Sequence, residues 1–139
     1  MANKEEEISW PYTDSPYLEI RLRSVSEEEY PLNDGELVMI DTGFSEDILV
    51  PISIYKHLML DKWEEPDEGM LILADKSIML TRIAKGYILI PKFSSGLFEV
   101  RVHCAYKKEQ DTAEIVIGLG FIKKFKLLLD GPSSKLYIL

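Results

Sequence analysis

Residues Leu37-Val38-Met39-Ile40-Asp41-Thr42-Gly43-Phe44-Ser45 place four apolar side chains directly before an acid, a hydroxyl and a glycine. An apolar run of that length, bounded by turn residues, predicts a buried strand. The strand breaks at Asp41, so a carboxylate stands at the corner of a tight turn. A buried carboxylate is costly unless it is hydrogen-bonded or neutralised. Thr42 offers a hydroxyl, and Gly43 permits a positive φ or the close approach of another chain. Apolar side chains on both faces of residues 36–40 predict that this strand is central.

The chain on either side reads as further strands. From Tyr17, the residues Leu18, Ile20 and Leu22 alternate with Glu19, Arg21 and Arg23, the pattern of a half-buried strand. Residues 1–15 form a polar lead-in that Trp10, Pro11 and Tyr12 can tack onto the body. Residues 31–35 carry turn chemistry. Residues 48–50 read as a short strand. Pro51 then suits the first turn of a helix reaching about residue 60, with Ile54, Tyr55, Leu58 and Met59 on its apolar side. Residues 61–69 make a polar acidic loop. Residues 70–74 and 78–83 form a hairpin across Asp75-Lys76-Ser77. Gly86 marks another turn before a strand at 87–90. In residues 97–106, Phe98, Val100, Val102 and Cys104 alternate with Glu99, Arg101 and His103. Residues 113–117 make a buried strand ending at Gly118. Phe121, Ile122 and Phe125 share the face of a short helix, and residues 126–130 and 135–139 close as a hairpin. About eight or nine short strands with one or two short helices predict a mainly-β, folded-over or closed sheet. Residues 16–139 are expected to form one domain.

Composition narrows the function classes. A chain of 139 residues can bury a substantial core. Its net charge of −8 opposes phosphate contacts, so no nucleic-acid partner is expected. One cysteine, Cys104, excludes an internal disulfide and reads as a buried core thiol. No stretch reaches the roughly 18 apolar residues of a membrane helix. The acidic residues 1–7 lack the apolar centre of a signal peptide, so a cytoplasmic location is expected. His57 and His103 stand in no metal-ligand spacing. Glu64, Glu65, Asp67 and Glu68 read as a solvated loop. Neither a metal nor a cofactor is expected.

Several roles are open to Asp41. It can cap its own loop as an Asx turn. Phosphoryl transfer to an aspartate calls for a second carboxylate or a lysine nearby on a parallel α/β scaffold, which this pattern lacks. An aspartic peptidase needs two carboxylates sharing one proton, so that one takes a proton from water while the other donates to the carbonyl. The chain has one such corner. That chemistry therefore requires a symmetric homodimer contributing Asp41 twice.

The segment Val38-Met39-Ile40-Asp41-Thr42-Gly43-Phe44-Ser45 resembles the active-site signature of retropepsin-like aspartic proteases, apolar-apolar-Asp-Thr-Gly-x-Ser. Downstream, Ile115-Val116-Ile117-Gly118, Phe121-Ile122 and Leu127-Leu128-Leu129-Asp130 resemble the family's apolar-apolar-Gly strand, short helix and closing strand. The match runs over about residues 17–139 and is most similar to the small microbial members. The resemblance implies a closed β-barrel-like acid-protease fold that acts as a homodimeric endopeptidase on peptide or protein substrates. It implies that Asp41 is the catalytic carboxylate and that Thr42 hydrogen-bonds across the dimer axis. Gly43 would admit substrate backbone, with Phe44 and Ser45 beside it. Ala74, Asp75, Lys76 and Ser77 would form the tip of a flap. Ile117 and Gly118 would pack behind the Asp loop and border the substrate site. Residues 136–139 would offer an edge strand to the partner, in keeping with an apolar Leu-Tyr-Ile-Leu end that needs cover.

Three positions depart from the family pattern. Phe44 stands where many relatives carry a small residue, and is expected to crowd the space beside Asp41. Leu119-Gly120 follow Gly118 where viral members place Arg and an acidic or amide residue, so their polar dimer-bracing contacts are not carried over. The flap tip has no glycine and is expected to be stiffer. These departures motivate a second reading, a protease-fold peptide-binding or assembly module with little or no turnover.

Overall fold

The alternation of Leu18, Ile20 and Leu22 becomes β2 (Tyr17–Ser24), in which every second side chain is buried. The computed structural model describes residues 8–11, 15–32, 34–73, 75–93 and 96–139. β2 serves two neighbours in succession. Its first half pairs antiparallel with β4 (Glu36–Asp41), and its second half pairs with β7 (Ile78–Leu89). β4 runs parallel to β9 (Val116–Gly118), which pairs antiparallel with β5 (Ile48–Leu49). β5 runs parallel to β8 (Phe98–Ala105), and β8 pairs antiparallel with β7 along most of its length. The pairings thus lead back to β2. Those through β5 span only two residues each, so the body is barrel-like without being a formally closed barrel. β3 (Glu29–Tyr30) flanks β2, and β6 (Gly69–Ile72) forms a hairpin with β7.

A second, three-stranded sheet consists of β1 (Ile8–Pro11), β11 (Lys135–Ile138) and β10 (Leu127–Asp130), with β11 in the middle. Two short helices, α1 (Ile52–His57) and α2 (Leu119–Ile122), complete a mainly-β fold. No helix among the described residues is long and apolar enough to cross a membrane.

The main core joins both sheets, from Leu18, Ile20, Leu22, Val38 and Ile40 to Ile117, Phe121, Leu136 and Ile138. Phe121 is the fully buried ring of an aromatic cluster within it. It meets Phe98 and Phe125 edge-on, with ring centroids 5.9 and 5.1 Å apart. Phe93 joins from the far side, 5.6 Å from Phe125. Each such pair adds about 0.5–1.5 kcal/mol beyond the area it buries. Cys104 is buried, and burial pushes its thiol up to about 12. It is a packed side chain, not a nucleophile.

Several local expectations change once tertiary neighbours are present. Gly86 makes no turn and lies within the uninterrupted β7. A Cβ there would sit 3.0 Å from Val102 Cγ2 and 3.4 Å from the Arg23 carbonyl oxygen, so the glycine lets β2 and β8 flank β7 closely. The helix after Pro51 ends at His57 because Met59 is left-handed (φ 56°), and a 3-10 turn (Leu60–Trp63) follows. Glu64 then bridges to Ala84, so the acidic loop is partly tied to β7. β4 is central in its pairing, yet Leu37 remains 52% exposed while Val38 and Ile40 are buried.

The expectation of a C-terminal edge strand is corrected. β11 has neighbours on both sides, and Leu136 and Ile138 are buried in its own protomer. The cover comes from residues 8–11, which the sequence reading placed in a lead-in. Trp10 is buried, and the Lys92 ammonium lies 5.6 Å from its ring centroid while donating to the Ser9 carbonyl at 2.9 Å. Tyr12 lies outside the described residues.

Replacing Phe121 by Ala removes the fully buried ring of the aromatic cluster and is expected to cost about 3–5 kcal/mol. Urea unfolding of the variant measures this, and a loss below about 1 kcal/mol would contradict the packing described.

Candidate active site

β4 delivers Asp41 to the corner between two backbone anchors. Asp41 and Gly118 are paired residues of the parallel β4–β9 ladder, and the Ile40 N–H donates to the Pro16 carbonyl at 3.0 Å. The Asp41 side chain is exposed. Its Oδ1 accepts the Gly43 N–H at 2.8 Å, and its carbonyl accepts the Phe44 N–H at 3.1 Å. This is an Asx turn, so the acid builds the corner on which it stands. Gly43 does not adopt a positive φ, nor does any other glycine among the described residues. Its value is space, since a Cβ there would lie 3.2 Å from Asp41 Oδ1. Thr42 and Ser45 are exposed on the same turn.

Residues 44–47 lie directly on the β9–α2 junction. The Phe44 carbonyl accepts the Leu119 N–H at 2.7 Å, the Glu46 carbonyl accepts the Gly120 N–H at 3.1 Å, and the Asp47 carbonyl accepts the Gly118 N–H at 2.9 Å. A Cβ on Gly118 would stand 2.2 Å from the Glu46 carbonyl oxygen and 2.5 Å from the Phe44 ring. A Cβ on Gly120 would stand 2.6 Å from Asp47 Oδ1. Gly118 has an ordinary φ of −106°, so contact, not backbone strain, demands glycine. Ile117 and Gly118 are buried and hold the loop from behind.

Phe44 turns inward. Its ring packs edge-on to His103, with centroids 6.3 Å apart, and against a small apolar cluster of Leu49, Leu71, Met79 and Ala105. It therefore walls the space beside the turn without filling it. A cavity of about 180 Å³ remains between Gly43, Phe44 and Ser45 on one side and Met70, Leu71 and Ile72 of β6 on the other.

The β6–β7 hairpin overhangs this cavity. Leu73 N–H donates to the Ser77 carbonyl at 2.9 Å, and Lys76 N–H to the Leu73 carbonyl at 2.8 Å. Asp75 Oδ1 accepts from the Ser77 N–H and hydroxyl at 2.9 and 2.6 Å, which holds the Asp75 carboxyl below its ordinary range. Lys76 occupies the left-handed region (φ 70°), the role a glycine would otherwise take. Ala74 lies outside the described residues. Leu71 and Met79 face the cluster beneath, while Met70, Ile72 and Ile78 are exposed on the opposite face.

His103 alternates with Val102 and Cys104 on β8 and is 2% exposed, with Phe44, Glu46 and Thr81 gathered around its ring. Its Nδ1 lies 2.9 Å from Thr81 Oγ1. Its Nε2 lies 3.4 Å from Glu46 Oε1 without forming a hydrogen bond among the described residues. Burial lowers the His103 pKa; Glu46 pulls it up and Arg101 pushes it down further. Arg101 grips Glu65 in a bidentate pair at 2.7 Å and donates its backbone N–H to Asp47 Oδ2 at 2.9 Å. His103, Thr81, Glu46 and the β6 residues were not singled out from sequence. The available signal was Ala105, an apolar residue that continues the His103 side of the strand.

No group among the described residues has the three or more His, Cys, Asp or Glu side chains that would hold a metal ion. His57 is exposed, edge-on to Tyr30. A larger groove of about 540 Å³ lies between Tyr30, Pro31 and Leu32 and the α1 residues Ile54 and His57, and contains none of the Asp41 turn.

Gly118→Ala forces a methyl group into the Glu46 carbonyl and is expected to destabilise the chain by more than about 2 kcal/mol while displacing the Asp41 turn. Urea unfolding, with amide shifts of residues 43–47, reads both effects. At the hairpin tip, Lys76→Val should cost about 1–2 kcal/mol because a β-branched residue resists the left-handed region. Lys76→Gly should cost less than about 0.5 kcal/mol. The reverse order in urea unfolding would contradict the turn assignment.

No family model matches the chain. An uncharacterised protein of Archaeoglobus fulgidus is 29% identical over 120 residues, covering 84% of this chain and 87% of its own length. Among solved structures, the crystal structure of a retropepsin-like aspartic protease from Rickettsia conorii aligns over 97% of this chain and 96% of its own, with a TM-score of 0.53 and 14% identity. At that identity the likeness is one of architecture: the chain has a mainly-β, retropepsin-like fold.

Proposed function

We propose that the chain is an aspartic endopeptidase that assembles its active site as a homodimer, with two Asp41 carboxylates meeting at the two-fold axis. The observation that carries this reading is an exposed carboxylate on a turn braced from behind by Gly118, within a retropepsin-like fold. One protomer supplies one such acid, and a single carboxylate cannot both accept and donate the proton. Two at close range share a proton and titrate as a pair. The ionised partner takes a proton from water as the water oxygen attacks the peptide carbonyl carbon. The protonated partner donates to the carbonyl oxygen. Collapse of the gem-diol then breaks the C–N bond, with a proton passing to the departing amine.

The remaining residues take supporting roles. Thr42 is free to hydrogen-bond across the axis. Gly43 and Ser45 border an extended peptide, with Phe44 forming a wall. The hairpin tip at Asp75, Lys76 and Ser77 closes over the peptide and excludes water. Because β11 is already flanked, the partner is met by the Asp41 turn and the outer edge of β10, where Leu128 and Leu129 are 45% and 53% exposed.

The second reading, a peptide-binding or assembly module, draws on the same turn. The Asp41 carboxylate already has a structural task in holding Gly43. The two readings separate experimentally. Full-length protein incubated with a proteome-derived peptide library, read by mass spectrometry between pH 4 and 7, is expected to cleave. Asp41→Asn is expected to remain folded and dimeric by sedimentation, with cleavage reduced at least about 10³-fold. Undiminished cleavage by that variant, or a strict monomer at micromolar concentration, would exclude the peptidase reading.

A further inference from the structure

Resting on that reading, we propose that His103 is a positioning residue for the Asp41 turn. Its imidazole is anchored on Thr81, bears on the Phe44 ring and reaches toward Glu46, and so sets how residues 44–47 sit on Gly118, Leu119 and Gly120.

Three contacts around one ring carry the inference. Thr81 lies on β7 and His103 on β8, and their 2.9 Å contact fixes the imidazole plane. Phe44, the first residue after Asp-Thr-Gly, rests edge-on against that plane at an interplanar angle of 84°. Glu46, two residues further on, has Oε1 3.4 Å from Nε2. The carbonyls of these same two residues accept the Leu119 and Gly120 N–H groups. Movement of the imidazole therefore transmits to both carbonyls that seat the turn.

The buried Nε2 gives this support two states. Thr81 donating its hydroxyl hydrogen to Nδ1 leaves the hydrogen on Nε2, pointing at the Glu46 carboxylate. The other tautomer would aim a bare lone pair at that carboxylate. In the neutral ring the Nε2 contact is unclosed. A proton gained at acid pH adds to Nδ1, which then donates to Thr81 Oγ1, and the ring becomes a cation whose charge-assisted Nε2–H bond to Glu46 is shorter than 3.4 Å. Glu46 is then drawn toward the ring and away from Arg101, whose Nη1 is 3.8 Å from the same oxygen. The groups facing this change are Thr81 on β7, Glu46 and Asp47 on the loop, and Arg101 on β8 with its partner Glu65. Cys104 Sγ stays protonated and takes no part.

The sign of the stability effect follows from burial. The folded His103 holds its proton less tightly than the unfolded chain, whose value is near 6.5. Unfolded molecules therefore bind more protons below that pH, and the fold loses stability as pH drops from about 6.5 until the folded value is passed.

The test is an NMR titration of the full chain between pH 4 and 8, with amide exchange, on wild type, Glu46→Gln and His103→Gln. In wild type, the Phe44, Glu46, Leu119 and Gly120 amides should titrate with the midpoint of the His103 ring. Glu46→Gln, at a partly exposed position, should lower that midpoint, because the carboxylate that raised it is gone. His103→Gln should remove the shared transition and speed exchange of the Leu119 and Gly120 amides about tenfold. In peptidase assays, the limb of the pH profile at that midpoint should vanish in His103→Gln. Amides that stay flat while the ring titrates, or a transition that persists in His103→Gln, would overturn the proposal. Absence of cleavage by wild type would instead remove the peptidase reading, while the amide titration would still decide whether His103 seats the turn.

Discussion

The contact on which the architecture depends is backbone against backbone. Residues 44–47 rest on Gly118, Leu119 and Gly120 through three N–H to carbonyl bonds, with no side chain able to fit between them at either glycine. Everything that gives Asp41 a defined place follows from this. β9 must run parallel beside β4 so that Gly118 arrives opposite Asp41. β5 must turn back beside β9, and α2 must begin at once so that Gly120 clears Asp47. The mixed strand directions around β9 are the means by which residues about 75 apart in sequence are brought into hydrogen-bonding contact (Phe44 and Leu119).

Legibility in the sequence followed the range of the interaction. The alternation in β2 and the break at Asp41 are local patterns, and both are present as read. The turn at Asp75-Lys76-Ser77 is likewise local, since Asp75 makes its own Asx contact. Gly86 was misread because glycine usually punctuates a chain. Here its cause is the spacing of β2, β7 and β8, three strands that approach one another only in the folded state. The burial of His103 was left open because strand alternation does not say what meets its second face, and Phe44 and Glu46, which do so, are remote from it in the sequence. The cover over β11 was invisible for the same reason: β1 lies at the opposite end of the described chain.

Within the candidate site, the acid was evident from the strand break and the glycine behind it from the resemblance, whereas the direction of Phe44 was not. A bulky side chain after Asp-Thr-Gly can point toward the open space or away from it. The choice is made by an apolar cluster assembled from Leu49, Leu71, Met79 and Ala105, which no local pattern links. The hairpin consequently has apolar side chains on both faces. One face is already packed by that cluster, while Met70, Ile72 and Ile78 remain exposed on the other.

The three-stranded sheet has a kinetic consequence. Residues 8–11 pair with 135–138, so this ladder closes a loop of nearly the full described length. Closing so long a loop costs more entropy than closing a hairpin, and the cost falls before the contacts that repay it are made. The β7–β8 hairpin joins neighbours in the chain and can assemble early. Zipping of β1 onto β11 belongs late in folding. Until then Trp10, Leu136 and Ile138 stay uncovered, and the unpaired edge of β11 is open to another chain. A delay at that last step would favour exchange of strands between molecules over completion within one.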